Sequence, residues 1–198
     1  MEGKHYFLMQ DEASLIQACI KQNRAAQKKL YDLHAPKMLG VCYRYAQSKE
    51  EAEDMLQEGF IKVFQKLDSF KFQGVFEGWL RRIFVNTAIN IIRKYQKLQY
   101  ETDIEQAGTM ASNAAEVLDA MQNKEVIELI RNMPQGYRTV LNLYAIEGYS
   151  HKEIGEMLGI NESSSRSQFT RAKAVLAKKI NALEAEVLKE KPVYVTER

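Results

Sequence analysis

The sequence is poor in the residues that cross-link or break a chain. Its 198 residues include two cysteines, three prolines and ten glycines, so boundaries between helices should be few and easy to locate. Cys19 and Cys42 form no Cys-x-x-Cys pair, and the three histidines are scattered. A structural zinc site needs about four clustered ligands, and none is readable here. We expect no metal and no cofactor, and we expect both cysteines to act as small core hydrophobes.

Long apolar runs are also missing. The first ten residues lack the hydrophobic stretch of a signal peptide. No stretch approaches the roughly 18 apolar residues that a membrane span requires. Period-two alternation of useful length is absent as well, which argues against strands. These absences predict an all-α, cytoplasmic protein without membrane insertion.

Helical periodicity occupies most of the chain, in two blocks. In the first block Pro36 could kink or break a helix that runs from about Arg24 to Ala46. The segment between the blocks has no steady apolar period. We therefore predict two small helical domains joined by a flexible linker, with these bounds: residues 1–95, linker 96–117, residues 118–190, and a frayed tail over residues 191–198.

Local signals place helix boundaries in the first block. Ser48 offers an N-cap, and two glutamates follow it near the positive end of the helix dipole. Residues Lys71–Val75 have the composition of a loop. The next helix should begin near Phe76 and continue to about Tyr95.

Charge is sorted by segment although the net charge is only +2. Residues 79–99 and 163–181 each hold five basic residues and no acid, whereas residues 50–58 and 101–119 each hold five acids and no base. One basic helix alone would be an ordinary solvated face. Two basic helices, one per domain, favour a bipartite surface for a polyanion.

The second block contains the signals of a helix-turn-helix. Ser150 and Glu153 form a capping box. Gly159 sits where a helix stop needs a left-handed residue, and Asn161 offers a second N-cap. A helix, a tight glycine turn and a basic second helix make the arrangement that reads duplex DNA. An ordinary helical hairpin is the alternative.

Several segments of the sequence resemble a known family. Residues 133–160 and 162–176 resemble region 4, with its recognition helix, of extracytoplasmic-function sigma factors, the small members of the sigma-70 family. Ala52–Phe64 resembles region 2.2 of that family, and Trp79–Asn90 resembles regions 2.3 to 2.4. The resemblance covers about residues 12 to 183, with the motifs in the family's order and a linker where the family has one.

The resemblance implies a transcription initiation factor, not an enzyme, that binds core RNA polymerase and reads two promoter elements. The acidic helix would bind the clamp helices of the β′ subunit through Asp54, Gln57 and Glu58, and the β flap is a further expected contact. The minus-ten element would be read by Asn86, Asn90, Arg82 and Lys71. The loop Phe70–Phe76 would form the wall of a pocket for a flipped base. The minus-thirty-five element would be read by Arg166, Ser167, Thr170 and Arg171. An anti-sigma factor is an expected partner.

Each implied role has a plainer alternative. Trp79 fits a core position better than a base-stacking one. Asn86 could be a cap or a solvent-facing side chain, and Asp54 with Glu58 could be ordinary charges on a helix face. The chain also departs from the family. Ser163–Ser165 stands where Gly-Thr-Val is frequent, so an apolar anchor is lost at Ser165, and Gln168 replaces a frequent arginine. Promoter preference therefore does not transfer.

Two other classes of protein compete with this interpretation. A stand-alone repressor or activator would account for the helix-turn-helix but not for the acidic helix, and repressors usually bind as dimers, for which no seam is visible. An enzyme finds no support, because no nucleophile, base and metal constellation occurs and no nucleotide-binding loop is present.

Overall fold

The computed structural model describes residues 2–101 and 124–190, and their regular structure is helical without a strand. The described chain falls into two compact units, one ending at Glu101 and the other starting at Lys124. The prediction of an all-α protein with two helical domains is confirmed. Residues 102–117 of the predicted linker and the predicted tail, residues 191–198, lie outside the described residues.

The first unit is built around its second helix. Its elements are α1 (Glu2–Ile20), α2 (Arg24–Tyr43), α3 (Lys49–Lys66), a short 3-10 turn (Leu67–Ser69) and α4 (Phe76–Glu101). Helix α2 packs against α1, α3 and α4, and α3 also packs against α4. Each helix therefore buries one face and leaves another exposed.

Side-chain caps start two of these helices. The Oδ1 of Asn23 accepts from the backbone N–H of Ala26 at 3.0 Å. Ser48 Oγ accepts from the N–H of Glu51 at 3.1 Å, so the predicted cap at Ser48 is confirmed. Such caps satisfy amide groups that have no partner within the helix, and each stabilises by about 1 kcal/mol.

Two predicted helix ends need correction. Helix α2 runs through Pro36, so the break that was one of the two open alternatives does not occur, and the helix ends at Tyr43 instead of near Ala46. Because Pro36 and Asp32 are both exposed, the carbonyl that loses its hydrogen bond to the proline can be reached by water. Helix α4 also runs six residues past its predicted end at Tyr95, to Glu101. The segment 96–101 contains neither glycine nor proline to stop it.

Apolar side chains of α2, α3 and α4 form the core of the first unit. The largest fully buried ones include Leu30, Met38, Met55, Leu80 and Phe84. Both cysteines are buried in this unit and free of disulfides. Burial raises the pKa of Cys19 and raises that of Cys42 to about 12. Both therefore remain neutral thiols, as the prediction of core hydrophobes requires.

The second unit is built around its last helix. Its elements are α5 (Lys124–Arg131), α6 (Gln135–Leu141), a π-helical turn (Asn142–Ile146), α7 (His151–Leu158) and α8 (Glu162–Glu190). Helix α8 packs against α5, α6 and α7. One small apolar cluster joins α5 and α6 to α8 through Ile130, Met133, Leu141 and Ala172. Helix α8 therefore supplies both part of the core and the exposed basic surface.

We expect Gly59→Ala to destabilise the first unit, because α3 and α4 approach too closely there for a methyl group. A Cβ on Gly59 would lie 2.1 Å from Cε1 of Phe84. The Phe84 ring is itself buried against Phe60, with ring centroids 5.2 Å apart. Overpacking of this kind costs about 1–3 kcal/mol.

Gly40→Ala in α2 is the matched control, because a Cβ there would meet nothing within 4 Å. Both variants gain the same helix propensity, so the difference between them isolates the clash. The measurement is urea unfolding followed by the fluorescence of Trp79, the chain's single tryptophan, which lies in this unit. Equal free energies of unfolding for the two variants would contradict the close approach.

Candidate nucleic-acid interface

One face of α4 is polar and exposed. Arg82, Asn86 and Asn90 are spaced four residues apart and all are exposed, so they lie along one side of the helix. The opposite side carries Leu80, Phe84, Ala88 and Ile92, all buried. The three predicted side chains therefore form a single row, held in place by the packing of the other face.

An aromatic loop precedes this face. Phe70 and Phe76 are buried at its two ends, with ring centroids 5.0 Å apart, and Trp79 stacks on Phe76 at 5.6 Å. Trp79 is half-buried in this cluster. Phe72 stands out, because its φ of 56° is in the left-handed region and its side chain is 44% exposed. Lys71, next to it, is exposed as well. The loop thus presents a cation and an aromatic ring above a cluster of packed aromatic side chains.

Helix α3 presents the acidic surface. Asp54 and Gln57 are exposed and Glu58 is half-buried. Glu58 pairs with Lys62 on the same helix, with Oε1 and Nζ 3.1 Å apart. This pairing was missed from the sequence, although the spacing of four residues is the usual one for such pairs. The surface is therefore negatively charged, although Lys62 partly neutralises the charge of Glu58.

The predicted helix-turn-helix signals are present in α7 and α8. Ser150 and Glu153 make both hydrogen bonds of a capping box. Gly159 ends α7 with a φ of 69°. Asn161 Oδ1 accepts from the N–H of Ser164 at 2.6 Å and so caps α8. Gly155 is also required, because a Cβ there would lie 2.7 Å from the backbone oxygen of Ile160 in the turn.

The first turns of α8 carry the predicted reading residues. Arg166, Ser167, Thr170 and Arg171 are all exposed. Two of them have partners on the helix: Arg166 pairs with Glu162, and the hydroxyl of Thr170 donates to the backbone oxygen of Arg166 at 3.0 Å. The side chains of Arg166 and Thr170 are therefore already oriented by contacts within α8.

A buried polar pair joins the two helices of the motif, and sequence reasoning missed it. Ser165 Oγ and His151 Nδ1 are hydrogen-bonded at 3.0 Å, with 0% and 7% of the two residues exposed. The His151 ring also stacks on Tyr144, with centroids 4.2 Å apart and planes 11° apart. The position where an apolar anchor seemed lost is thus occupied by a polar one. A signal existed, because Ser165 is four residues before Phe169 and seven before Ala172 on the packed face.

The environment of His151 favours its neutral form. Burial lowers its pKa below the usual value, and the nearby charge of Arg166 lowers it further, against the opposing effect of Glu162. At neutral pH the ring is uncharged, with one nitrogen available to donate and one to accept. Ser165 supplies the partner that the buried Nδ1 needs.

Three polar side chains of α8 make contacts within the second unit. Lys179 Nζ donates to the backbone oxygen of Asn132 at 3.1 Å, which caps the C-terminal end of α5. Lys173 Nζ lies 4.9 Å from the ring centre of Phe169. Gln168 is half-buried and lies against Gly136 of α6. Lys173 remains exposed in its contact and Lys179 is half-buried, so both still belong to the basic surface of α8.

Two kinds of site are absent from residues 2–101 and 124–190. No helix in these ranges is long and apolar enough to cross a membrane. No group of three His, Cys, Asp or Glu side chains in the same ranges could hold a metal ion.

Comparison with protein families assigns both units. Residues 30–98 match the family model for sigma-70 region 2, and residues 123–176 match the model for sigma-70 region 4. ECF RNA polymerase sigma factor SigW of Bacillus subtilis is 33% identical over 175 residues, which cover 82% of this chain and 93% of that protein. ECF RNA polymerase sigma-E factor of Haemophilus influenzae is 30% identical over 182 residues, which cover 84% and 96%.

A solved structure of the sigma factor RpoE with the anti-sigma factor NepR from Bartonella quintana is 18% identical. It has a TM-score of 0.48 and covers 78% of this chain and 96% of that one. The family assignment depends on the sequence comparisons. The chain belongs to the extracytoplasmic-function group of sigma-70 factors. It is a transcription initiation factor that binds core RNA polymerase and directs it to promoters.

We expect Ser165→Ala to destabilise the second unit by about 1–3 kcal/mol, because it leaves the buried Nδ1 of His151 without a partner. His151→Phe should be costly for the reciprocal reason. The double variant His151→Phe with Ser165→Val replaces both polar groups by apolar ones, so it should cost less than the sum of the two single changes.

The measurement is native-state hydrogen exchange of amides in α7 and α8, which reports on the second unit alone. If the destabilisation of the double variant equals the sum of the two single changes, the two side chains do not depend on each other.

Proposed function

We propose that α4 and α8 read the two elements of the promoter. The minus-ten element is read by Arg82, Asn86 and Asn90 of α4 together with Lys71 of the preceding loop. The minus-thirty-five element is read by Arg166, Ser167, Thr170 and Arg171 of α8. One observation carries this proposal: every one of these side chains is exposed, and those on α4 form one row opposite a buried face. Side chains held on packed helices keep the geometry that base recognition needs.

The chemistry of each set suits its target. An asparagine amide both donates and accepts, which fits a base edge. Arginine can donate two parallel hydrogen bonds to O6 and N7 of guanine, and serine or threonine can bond either a base or a phosphate. Lys71 is placed to attract the phosphate backbone. Two weak readers gain affinity from being linked when their spacing fits the DNA.

The loop Phe70–Phe76 is proposed as the wall of a pocket for an unpaired base. Taking a base out of the stack costs a few kcal/mol, which the pocket has to return. Phe72 supports this role, since its ring is accessible for stacking while Phe70 and Phe76 anchor the loop below it. Stacking on an aromatic ring is worth about 1–3 kcal/mol per base.

We further propose that Asp54, Gln57 and Glu58 bind the clamp helices of the β′ subunit and that the second unit contacts the β flap. The exposed, acidic character of α3 supports a protein partner, because a surface of this sign is repelled by DNA. We propose that the functional domains are residues 1–95 and 118–190, joined by a linker over residues 96–117. Helix α4 extends into the start of this linker, as far as Glu101.

The protein is proposed to carry out no reaction of its own, because promoter opening would draw on the capture of unpaired bases. Its place of action is the cytoplasm, where RNA polymerase and promoter DNA are found. An anti-sigma factor is the proposed regulator, on the strength of family membership.

We expect the double variant Asp54→Ala with Glu58→Ala to weaken binding to core RNA polymerase while leaving the fold intact, since both side chains lie at the surface. If each of the two carboxylates forms a partly exposed ion pair with the polymerase, the two pairs together contribute roughly 1–2 kcal/mol to binding. Their loss should raise the Kd about 5- to 30-fold. Titration of labelled protein with core polymerase measures this change.

The double variant Asp32→Ala with Asp68→Ala is the matched control. It removes two exposed carboxylates from the same unit and changes the net charge equally, but neither residue belongs to α3. If both double variants lose the same affinity, the effect is one of overall charge and α3 is not the docking surface.

A further inference from the structure

The guanidinium of Arg166 is held by one edge. Its Nε donates to Oε1 of Glu162 at 3.2 Å, and its Nη2 donates to the same oxygen at a shorter distance. A guanidinium offers two edges for paired hydrogen bonds, one made by Nε with Nη2 and one made by Nη1 with Nη2. Glu162 occupies the first edge, so only the second is left for a pair of parallel bonds.

This pair contributes little to stability. The side chains of Glu162 and Arg166 are 45% and 64% exposed, and ion pairs at such positions are worth between zero and 1 kcal/mol. The position of the pair in α8 says more about its role than its contribution to stability does. Glu162 is the first residue of α8, where a carboxylate is favoured by the helix dipole.

The backbone on which the pair is mounted is fixed from two sides. Asn161 caps the helix through the N–H of Ser164 at 2.6 Å, and the buried Ser165 is bonded to His151 of α7. Arg166 follows directly, and its backbone oxygen accepts from Thr170. The backbone at the start of α8 therefore has little freedom, and Glu162 favours one orientation of the Arg166 side chain over the others.

We propose that Glu162 is a specificity-determining residue, which orients Arg166 for an end-on contact with one guanine of the promoter. Guanine O6 and N7 require two parallel N–H groups, which the Nη1 and Nη2 edge supplies. The Nε and Nη2 edge can turn toward a phosphate only if the pair breaks. The Nη1 and Nη2 edge can also bond a phosphate, but the carboxylate of Glu162 beside it repels phosphates. Glu162 thus lowers the affinity for other sequences more than the affinity for guanine. This inference rests on the proposed reading of the minus-thirty-five element by α8.

The test uses the full chain assembled with core polymerase and a set of promoter duplexes in which each base pair of the minus-thirty-five element is replaced in turn. At the position that Arg166 reads, replacing the guanine should weaken binding roughly 5- to 150-fold. In Glu162→Gln this penalty should shrink several-fold at that one position and stay the same at the others. Binding to DNA without the element should increase.

The control variant is Glu156→Gln, which removes an exposed carboxylate from α7 and changes the charge equally. It should leave the penalty at every position unchanged. The inference is overturned if Glu162→Gln changes binding to all duplexes by one common factor, as a loss of charge alone would do.

The variant Arg166→Ala distinguishes a failure of this inference from a failure of the proposal on which it rests, that α8 reads the minus-thirty-five element. If Arg166→Ala abolishes one positional preference and Glu162→Gln does not affect it, α8 reads bases but Glu162 plays no part. If Arg166→Ala leaves every preference intact, the role of Arg166 in reading is wrong, and the inference about Glu162 is wrong with it. In the Arg166→Ala background, Glu162→Gln should have no further effect on preference.

Discussion

The burial of one face of each helix is the constraint on which the rest of the structure depends. In α4 the buried row of Leu80, Phe84 and Ile92 leaves Arg82, Asn86 and Asn90 on the outside. Burying a large apolar side chain stabilises by about 1.5–3 kcal/mol. This is more than an exposed polar contact contributes, so packing decides which polar side chains are presented. The contacts with partners can then be changed by mutation without rebuilding the helix.

The two units meet this constraint in different ways. The first packs aromatic and aliphatic side chains closely, down to the approach of Gly59 to Phe84. The second has a small apolar cluster and, for its length, more buried polar groups than the first. Arg138 of α6 donates to the backbone oxygen of Arg131 at 2.8 Å, and His151 bonds Ser165. A small core gains stability from such bonds when each buried polar group finds its partner. The same bonds also fix the direction in which α8 leaves the turn.

Much of the fold could be predicted because its signals are local. The caps at Ser48 and Ser150, the stop at Gly159 and the loop before Phe76 all depend on neighbours within a few residues, and each is found where expected. The end of α4 was predicted too early, because a change in apolar period was taken as a helix end where no residue breaks the helix.

The candidate site was harder to predict, since it depends on contacts between distant residues. Nothing near Lys179 indicates that it caps α5 through Asn132, which is 47 residues away. The pairing of Ser165 with His151 spans 14 residues and turns an apparent loss of packing into a specific contact. By contrast, Lys173 over Phe169 and Arg166 with Glu162 have the spacing of four residues that a helix brings together. Those two contacts could have been read from the sequence.

The central claim is that this chain gives RNA polymerase its choice of promoter. Run-off transcription with core polymerase on fragments of the host genome tests it most directly, with binding of the protein alone to the same fragments measured in parallel. The account predicts defined transcripts only when protein and polymerase are combined, and weak binding by the protein alone. Tight, site-specific binding by the protein alone, without association with core polymerase and without new transcripts, would contradict it.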